Sequence, residues 1–147
     1  LIPDIDLKGN LFVNDNTTTI QFICSTNIAV WQCTAEFLVE DRTHDFIRYD
    51  DNICYHKRWI CSPNICACSD DCKSFTLNIT VAQEVVNHLY SCASRIETGG
   101  VTYIANISVK LNDNNGFQLI KKIVVPNNGT NPPQQATTFS PQTSTNS

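Results

Sequence analysis

Five of the chain's eight cysteines crowd into the nineteen residues of CYHKRWICSPNICACSDDC, positions 54–72, and how those sulfurs are satisfied limits the fold more than any other feature of this 147-residue sequence. An even, high cysteine count in a chain of this size points to an oxidising, extracellular compartment. A structural zinc site would need four thiolate or imidazole ligands converging from close pairs such as C-x2-C. In the run Cys54, Cys61, Cys66, Cys68 and Cys72, only Cys66 and Cys68 are close, and C-x-C is a poor zinc pair. His44 and His56 could add donors, but no spacing rule ties them in. A redox centre would need C-x-x-C, which does not occur. Disulfides are therefore the favoured reading, with a metal-binding cysteine-rich domain as a lesser alternative. No cofactor is expected.

The rest of the composition agrees with that compartment. Net charge is -4, with 10 basic against 14 acidic residues and no basic run, so there is no electrostatic footprint for nucleic acid. The chain holds no Met and no apolar run near the ~20 residues that a membrane helix needs. It reads as a mature or excised ectodomain, with any membrane anchor outside this segment. Four N-x-[ST] sequons, at Asn16, Asn78, Asn106 and Asn128, are candidate sites for N-linked glycans.

Hydrophobic residues alternate with a period of two, the pattern of a half-buried strand. TIQFIC sets Ile20, Phe22 and Cys24 on one face; WQCTAEFLV sets Trp31, Cys33, Ala35, Phe37 and Val39 on one face with Gln32, Thr34 and Glu36 opposite. SFTLNITV and VTYIANISVKL repeat the alternation and point Asn78 and Asn106 outward, as a glycan requires. Gly99-Gly100 is an apt hairpin turn between two such runs. A helix is credible only in AQEVVNH, as a single turn at most. The expected fold class is all-β, an antiparallel sandwich or barrel. An extra strand or hairpin is expected over 112–126, around GFQLIKKIVV. Residues 127–147, rich in Pro, Thr, Ser, Gln and Asn, read as a stalk or linker unable to bury enough surface to fold.

The segment FTLNITVAQEVVNHLYSCAS, with Leu77, Ile79 and Val81 alternating before a turn and then Tyr90-Ser91-Cys92, resembles strands E and F of an immunoglobulin-like domain. In that family a Tyr two residues before the second Cys forms the tyrosine corner. The resemblance covers roughly residues 5–111 and implies an immunoglobulin-like antiparallel β-sandwich over 1–111. It implies a disulfide between Cys24 and Cys92, and a core Trp31 packed on that bridge after a short B to C loop. ASRIETGGVTYIANISVKL is similar to the F to G hairpin and strand G of variable or intermediate types. Residues 40–74 do not follow the family pattern and are read as a disulfide-stapled insertion between strands C and E. The remaining cysteines, Cys33, Cys54, Cys61, Cys66, Cys68 and Cys72, would form three bridges, and 15 pairings are open.

The polar, poorly alternating insertion would owe its order to cross-links and become a rigid exposed loop, the kind of place where scaffolds carry binding function. Within it Trp59, flanked by Lys57 and Arg58, has the composition of an interface anchor; the plain alternative is that it covers the disulfides as a miniature core. EDRTHD, 40–45, reads as a solvated turn. No catalytic residues are assigned: His44, His56 and His88 belong to no G-x-S-x-G or H-E-x-x-H, and Asp70 and Asp71 diverge in an extended chain. What the resemblance implies is not an enzyme. It is an extracellular protein-recognition domain of a cell-surface receptor or adhesion molecule, similar to invertebrate immune or self-recognition receptors, with the same protein on an opposing cell as a candidate partner. The alternative is a secreted or viral immune-modulating binding module.

Overall fold

The computed structural model describes residues 1–82 and 87–127 of the chain. Among the described residues eleven strands follow in order: β1 (Ile5–Val13), β2 (Thr17–Thr26), β3 (Thr34–Val39), β4 (Arg42–Asp50), β5 (Ile53–His56), β6 (Trp59–Ile60), β7 (Cys66–Cys68), β8 (Ser74–Ala82), β9 (Leu89–Thr98), β10 (Val101–Leu111) and β11 (Phe117–Pro126). One 3-10 turn, Trp31–Cys33, precedes β3. The strands make two antiparallel sheets, of four in the order β1-β2-β8-β7 and of seven in the order β11-β10-β9-β3-β4-β5-β6. The expected single turn in AQEVVNH and the stretch 128–147, including Asn128, lie outside the described residues or fall largely there.

Alternation decides what each strand buries. Ile20, Phe22 and Cys24 of β2 and Phe75, Leu77 and Ile79 of β8 face Ala35 and Phe37 of β3, Tyr90, Cys92 and Ile96 of β9, and Ala105, Ile107 and Val109 of β10 in one core. Each large side chain removed from water here contributes about 1.5–3 kcal/mol. The Cys24–Cys92 bridge crosses this core from β2 to β9. Tyr90 packs at a tilt against Phe22 with ring centroids 4.8 Å apart, and Phe117 meets both edge-on, so β11 closes one end of the core with an aromatic cluster.

Three hairpins turn on two residues with positive φ: Gly99-Gly100 at 59° and 75°, Glu40-Asp41 at 52° and 63°, and Asp51-Asn52 at 50° and 64°. That backbone matches the right-handed twist of the flanking strands, and in the latter two turns non-glycine residues adopt it.

Three readings of the sequence are corrected. Residues 40–74 are not a rigid exposed loop: β4, β5 and β6 lengthen the seven-stranded sheet and β7 joins the four-stranded one. The solvated turn is only Glu40-Asp41, because pairing shifts from Phe37↔Asp45 to Leu38↔Thr43. His44 is the extra residue of that bulge, and Asp45 turns inward and is buried. Trp31, finally, is not a core residue. Gln32 and Cys33 both take left-handed backbone, at φ 53° and 52°, which breaks the alternation ahead of β3 and leaves Trp31 38% exposed.

Candidate functional site

All eight cysteines are oxidised, so a thiolate metal cage has no ligands to draw on. The three pairs beyond Cys24–Cys92 are Cys33–Cys72, Cys54–Cys68 and Cys61–Cys66. Cys54 lies on β5 and Cys68 on β7, so this bridge, like Cys24–Cys92, joins the two sheets. Cys33–Cys72 ties the turn before β3 to the turn before β8. In that second turn Asp71 accepts from the Ser69 hydroxyl at 2.6 Å and from the Lys73 backbone N–H at 3.0 Å, which holds its carboxyl below the ordinary aspartate range. Cys61–Cys66 closes the short connection from β6 to β7.

Those bridges set the place of the sequence-predicted surface residues. Lys57 and Arg58 form the two-residue turn between β5 and β6, since His56 pairs with Trp59. Trp59 and Ile60 are the outermost strand of the seven-stranded sheet and are 62% and 65% exposed, so Trp59 does not serve as a miniature core over the disulfides. Ile53 and Ile65 are also exposed in this cross-linked segment. Beneath the turn, His56 Nδ1 lies 3.0 Å from Asp45 Oδ2, while Asp45 Oδ1 accepts the Phe46 N–H at 2.8 Å. This partly buried pair links β4 to β5 and gives the acid turned inward by the bulge its partners.

A second surface escaped the sequence reading. On the outer face of the seven-stranded sheet a shallow concavity of about 300 Å³ is lined by Trp31, Glu36, Phe46, Ala93, Arg95 and Ile104, among others. Glu36 stands opposite both Phe46 and Ala93, so these outward positions lie side by side on β4, β3 and β9. Arg95 is two residues further along β9 and stacks its guanidinium over the Trp31 ring, 4.8 Å from the centroid. Two consecutive left-handed residues cost on the order of 1–2 kcal/mol each. The chain carries that strain, locked by Cys33–Cys72, and so places Trp31 outside. The outward set Thr34 and Glu36 was legible from alternation; Trp31's place beside it was not.

The sequons differ sharply. Asn16 is exposed at the turn from β1 to β2. Asn106 lies on the outer face of β10, opposite Ala93 on one side and Ile123 on the other. Asn78 is not left free: its Nδ2 donates to the Asn64 carbonyl at 2.7 Å and its Oδ1 is buried without a partner. The outward face of β8 at that point is covered by the connection carrying Asn64 and Ile65, whose carbonyl accepts the Asn78 backbone N–H at 2.8 Å.

Among the described residues no group of His, Cys, Asp or Glu is arranged to hold a metal ion, and no helix is long and apolar enough to cross a membrane. Four disulfides favour an extracellular or secreted protein. Comparison with protein families, curated proteins and solved structures finds no match to this chain.

Proposed function

We propose that the chain is an extracellular protein-recognition domain on an immunoglobulin-like sandwich, of the kind carried by cell-surface receptors and adhesion molecules, and that it recognises a second copy of itself on an opposing cell. The strand orders support the scaffold: β1-β2-β8-β7 corresponds to A-B-E-D, and β10-β9-β3-β4-β5 to the G-F-C sheet extended by C′ and C″ in variable-type domains. The β2 to β9 bridge and the buried Tyr90 two residues before Cys92 support the same reading.

The observation that carries recognition is the exposure of Trp59 and Ile60, beside Lys57 and Arg58, on a segment that Cys54–Cys68 and Cys61–Cys66 cannot let collapse inward. Rigid aromatic side chains held in water lose little entropy on docking, which is why they anchor interfaces. The test is sedimentation velocity of the purified domain together with aggregation of beads displaying it. Concentration-dependent association and bead clustering are expected. A domain that stays monomeric and beads that stay dispersed would remove self-recognition. A natural gene product that is released without any membrane anchor would favour the secreted immune-modulating module instead.

A further inference from the structure

We infer that Asn78 is a conditional glycosylation site, kept bare by the oxidised Cys61–Cys66 connection and opened to an oligosaccharide whenever that connection fails to close over β8. The chemistry is independent of the self-recognition reading above. Its consequence falls on the segment that carries Trp59 and Ile60.

Asn78-Ile79-Thr80 satisfies the N-x-[ST] rule, so the chain supplies an acceptor. In the transfer, Asn78 Nδ2 bonds to the anomeric carbon of a lipid-pyrophosphate oligosaccharide. The carbon–oxygen bond to the pyrophosphate breaks, the lipid pyrophosphate leaves with that electron pair, and Nδ2 loses one proton to water. The product is a secondary amide, which strongly prefers the trans form. A trans amide sets the sugar carbon on the same side as Oδ1. In the folded chain that side is closed, because Asn78 Oδ1 is buried. The connection lies directly over it: Asn78 Nδ2 donates to the Asn64 carbonyl at 2.7 Å, and the Ile65 carbonyl accepts the Asn78 backbone N–H at 2.8 Å. The rest of the sequon is fixed as well. Ile79 is buried, and the Thr80 hydroxyl lies 2.9 Å from that of Thr19 across the ladder. A bulky sugar needs accessible chain, and β8 laid between β2 and β7 does not offer it. Sugar and docked connection therefore exclude each other.

Chain order gives the connection its chance to close first. The cover is local: the Ser62 carbonyl accepts the N–H groups of Ile65 and Cys66, at 2.9 Å and 3.2 Å, and Cys66, Ala67 and Cys68 pair with Leu77, Thr76 and Phe75. Cys61–Cys66 locks that turn across a separation of only 5 residues. Cys54–Cys68 and Cys33–Cys72 also lie wholly before Asn78, whereas Cys24 must wait for Cys92. Short loops close fast and at low entropic cost, so an oxidising compartment builds the cover as β8 is delivered. A chain whose thiols stay reduced at that moment is glycosylated instead, and its residues 62–65 can no longer lie on Asn78. Cys61 directly follows Ile60, so the sugar leaves Trp59 and Ile60 on a loosened support.

The experiment follows Asn78 occupancy in secretory cells that make the native chain, with and without dithiothreitol during synthesis, and the variant Cys61→Ser with Cys66→Ser. Glycopeptide mass analysis covers both cell-associated and secreted chain, so a variant that is retained is still read. The native chain made without reductant should be bare at Asn78. Reductant and the double variant should each raise occupancy there several-fold, while Asn16, exposed at its turn, stays equally occupied throughout. Equal occupancy of Asn78 in all three arms would overturn the inference. So would native molecules that hold both the Cys61–Cys66 bridge and a sugar on Asn78. Occupancy does not read self-association, so failure here leaves the self-recognition reading untouched, and a monomeric domain leaves this inference untouched.

Discussion

The ring of Phe117 lies against the backbone of Gly9, so closely that a Cβ at position 9 would come within 2.6 Å of the ring carbons Cδ2 and Cε2. Gly9 belongs to β1, the edge of the four-stranded sheet, and Phe117 to β11, the edge of the seven-stranded one. The contact therefore closes the gap between two sheet edges, and the Lys122 to Asp4 ion pair at 3.0 Å sits in the same seam. Lys122 is the chief reason that the Asp4 carboxyl lies below its ordinary range.

Gly9→Ala should destabilise the domain by about 1–3 kcal/mol, the usual cost of forcing an extra carbon into a packed site. Phe117→Ala should cost about 3–5 kcal/mol, because it removes a ring that packs edge-on against Phe22 and Tyr90. Chemical denaturation of the single and double variants checks the relationship. Gly9→Ala should cost less in the Phe117→Ala background than alone, since the clash is then gone.

Non-reducing peptide mapping should recover the four pairs Cys24–Cys92, Cys33–Cys72, Cys54–Cys68 and Cys61–Cys66. Replacing one pair at a time by serine should lower stability in the order of the loops closed, which span 68, 39, 14 and 5 residues of separation. The chain-entropy relation gives about 4 kcal/mol for the two longest and about 2 kcal/mol for the shortest. Denaturant midpoints in the same buffer measure the ranking. Loss of Cys33–Cys72 should in addition change the near-ultraviolet signal of Trp31, because it frees the strained turn beside it.

Burial, reinforced by the nearby Glu40 carboxylate, pushes the Tyr90 phenol up to about 12. The folded state thus holds its proton more tightly than the unfolded chain, whose phenol ionises near 10. The stability linked to Tyr90 is complete below about pH 10 and is lost as pH rises toward 12. Ultraviolet titration of the native domain should show a phenolate appearing with alkaline unfolding in that window. Tyr90→Phe should abolish this pH-linked loss.

Glycopeptide mass analysis of the secreted chain should find Asn16 occupied and Asn78 bare, because the Asn78 amide nitrogen that would carry the sugar is spent on the Asn64 carbonyl. Asn78→Ala should cost about 1 kcal/mol by releasing the connection between β6 and β7. A folded population fully glycosylated at Asn78 would contradict this arrangement.

Much of the frame can be read from residue order alone. Alternation in TIQFIC, SFTLNITV and VTYIANISVKL places Phe22, Leu77 and Ile107 inward, because a strand's side chains change face at every residue whatever lies around it. The Gly99-Gly100 turn is legible for the same local reason, since its backbone needs positive φ. Eight cysteines without a zinc or redox spacing are legible as disulfides from their count.

Only the tertiary structure decides the rest, in part because one or two residues shift the phase of a local rule. His44 enters β4 as an extra residue, so Asp45 goes inward and Phe46 outward. Gln32 and Cys33 turn left-handed, so Trp31 leaves the core it was expected to fill and meets Arg95 outside. Residues 40–74 lack clean alternation, yet they extend both sheets because their neighbours supply the ladder partners and Cys54–Cys68 holds them to it. The pairing of Cys33 with Cys72 depends on two turns 39 residues apart coming together. Periodicity reports which way a side chain points along one strand; bulges, bridges and contacts between sheet edges depend on what the rest of the chain brings alongside it.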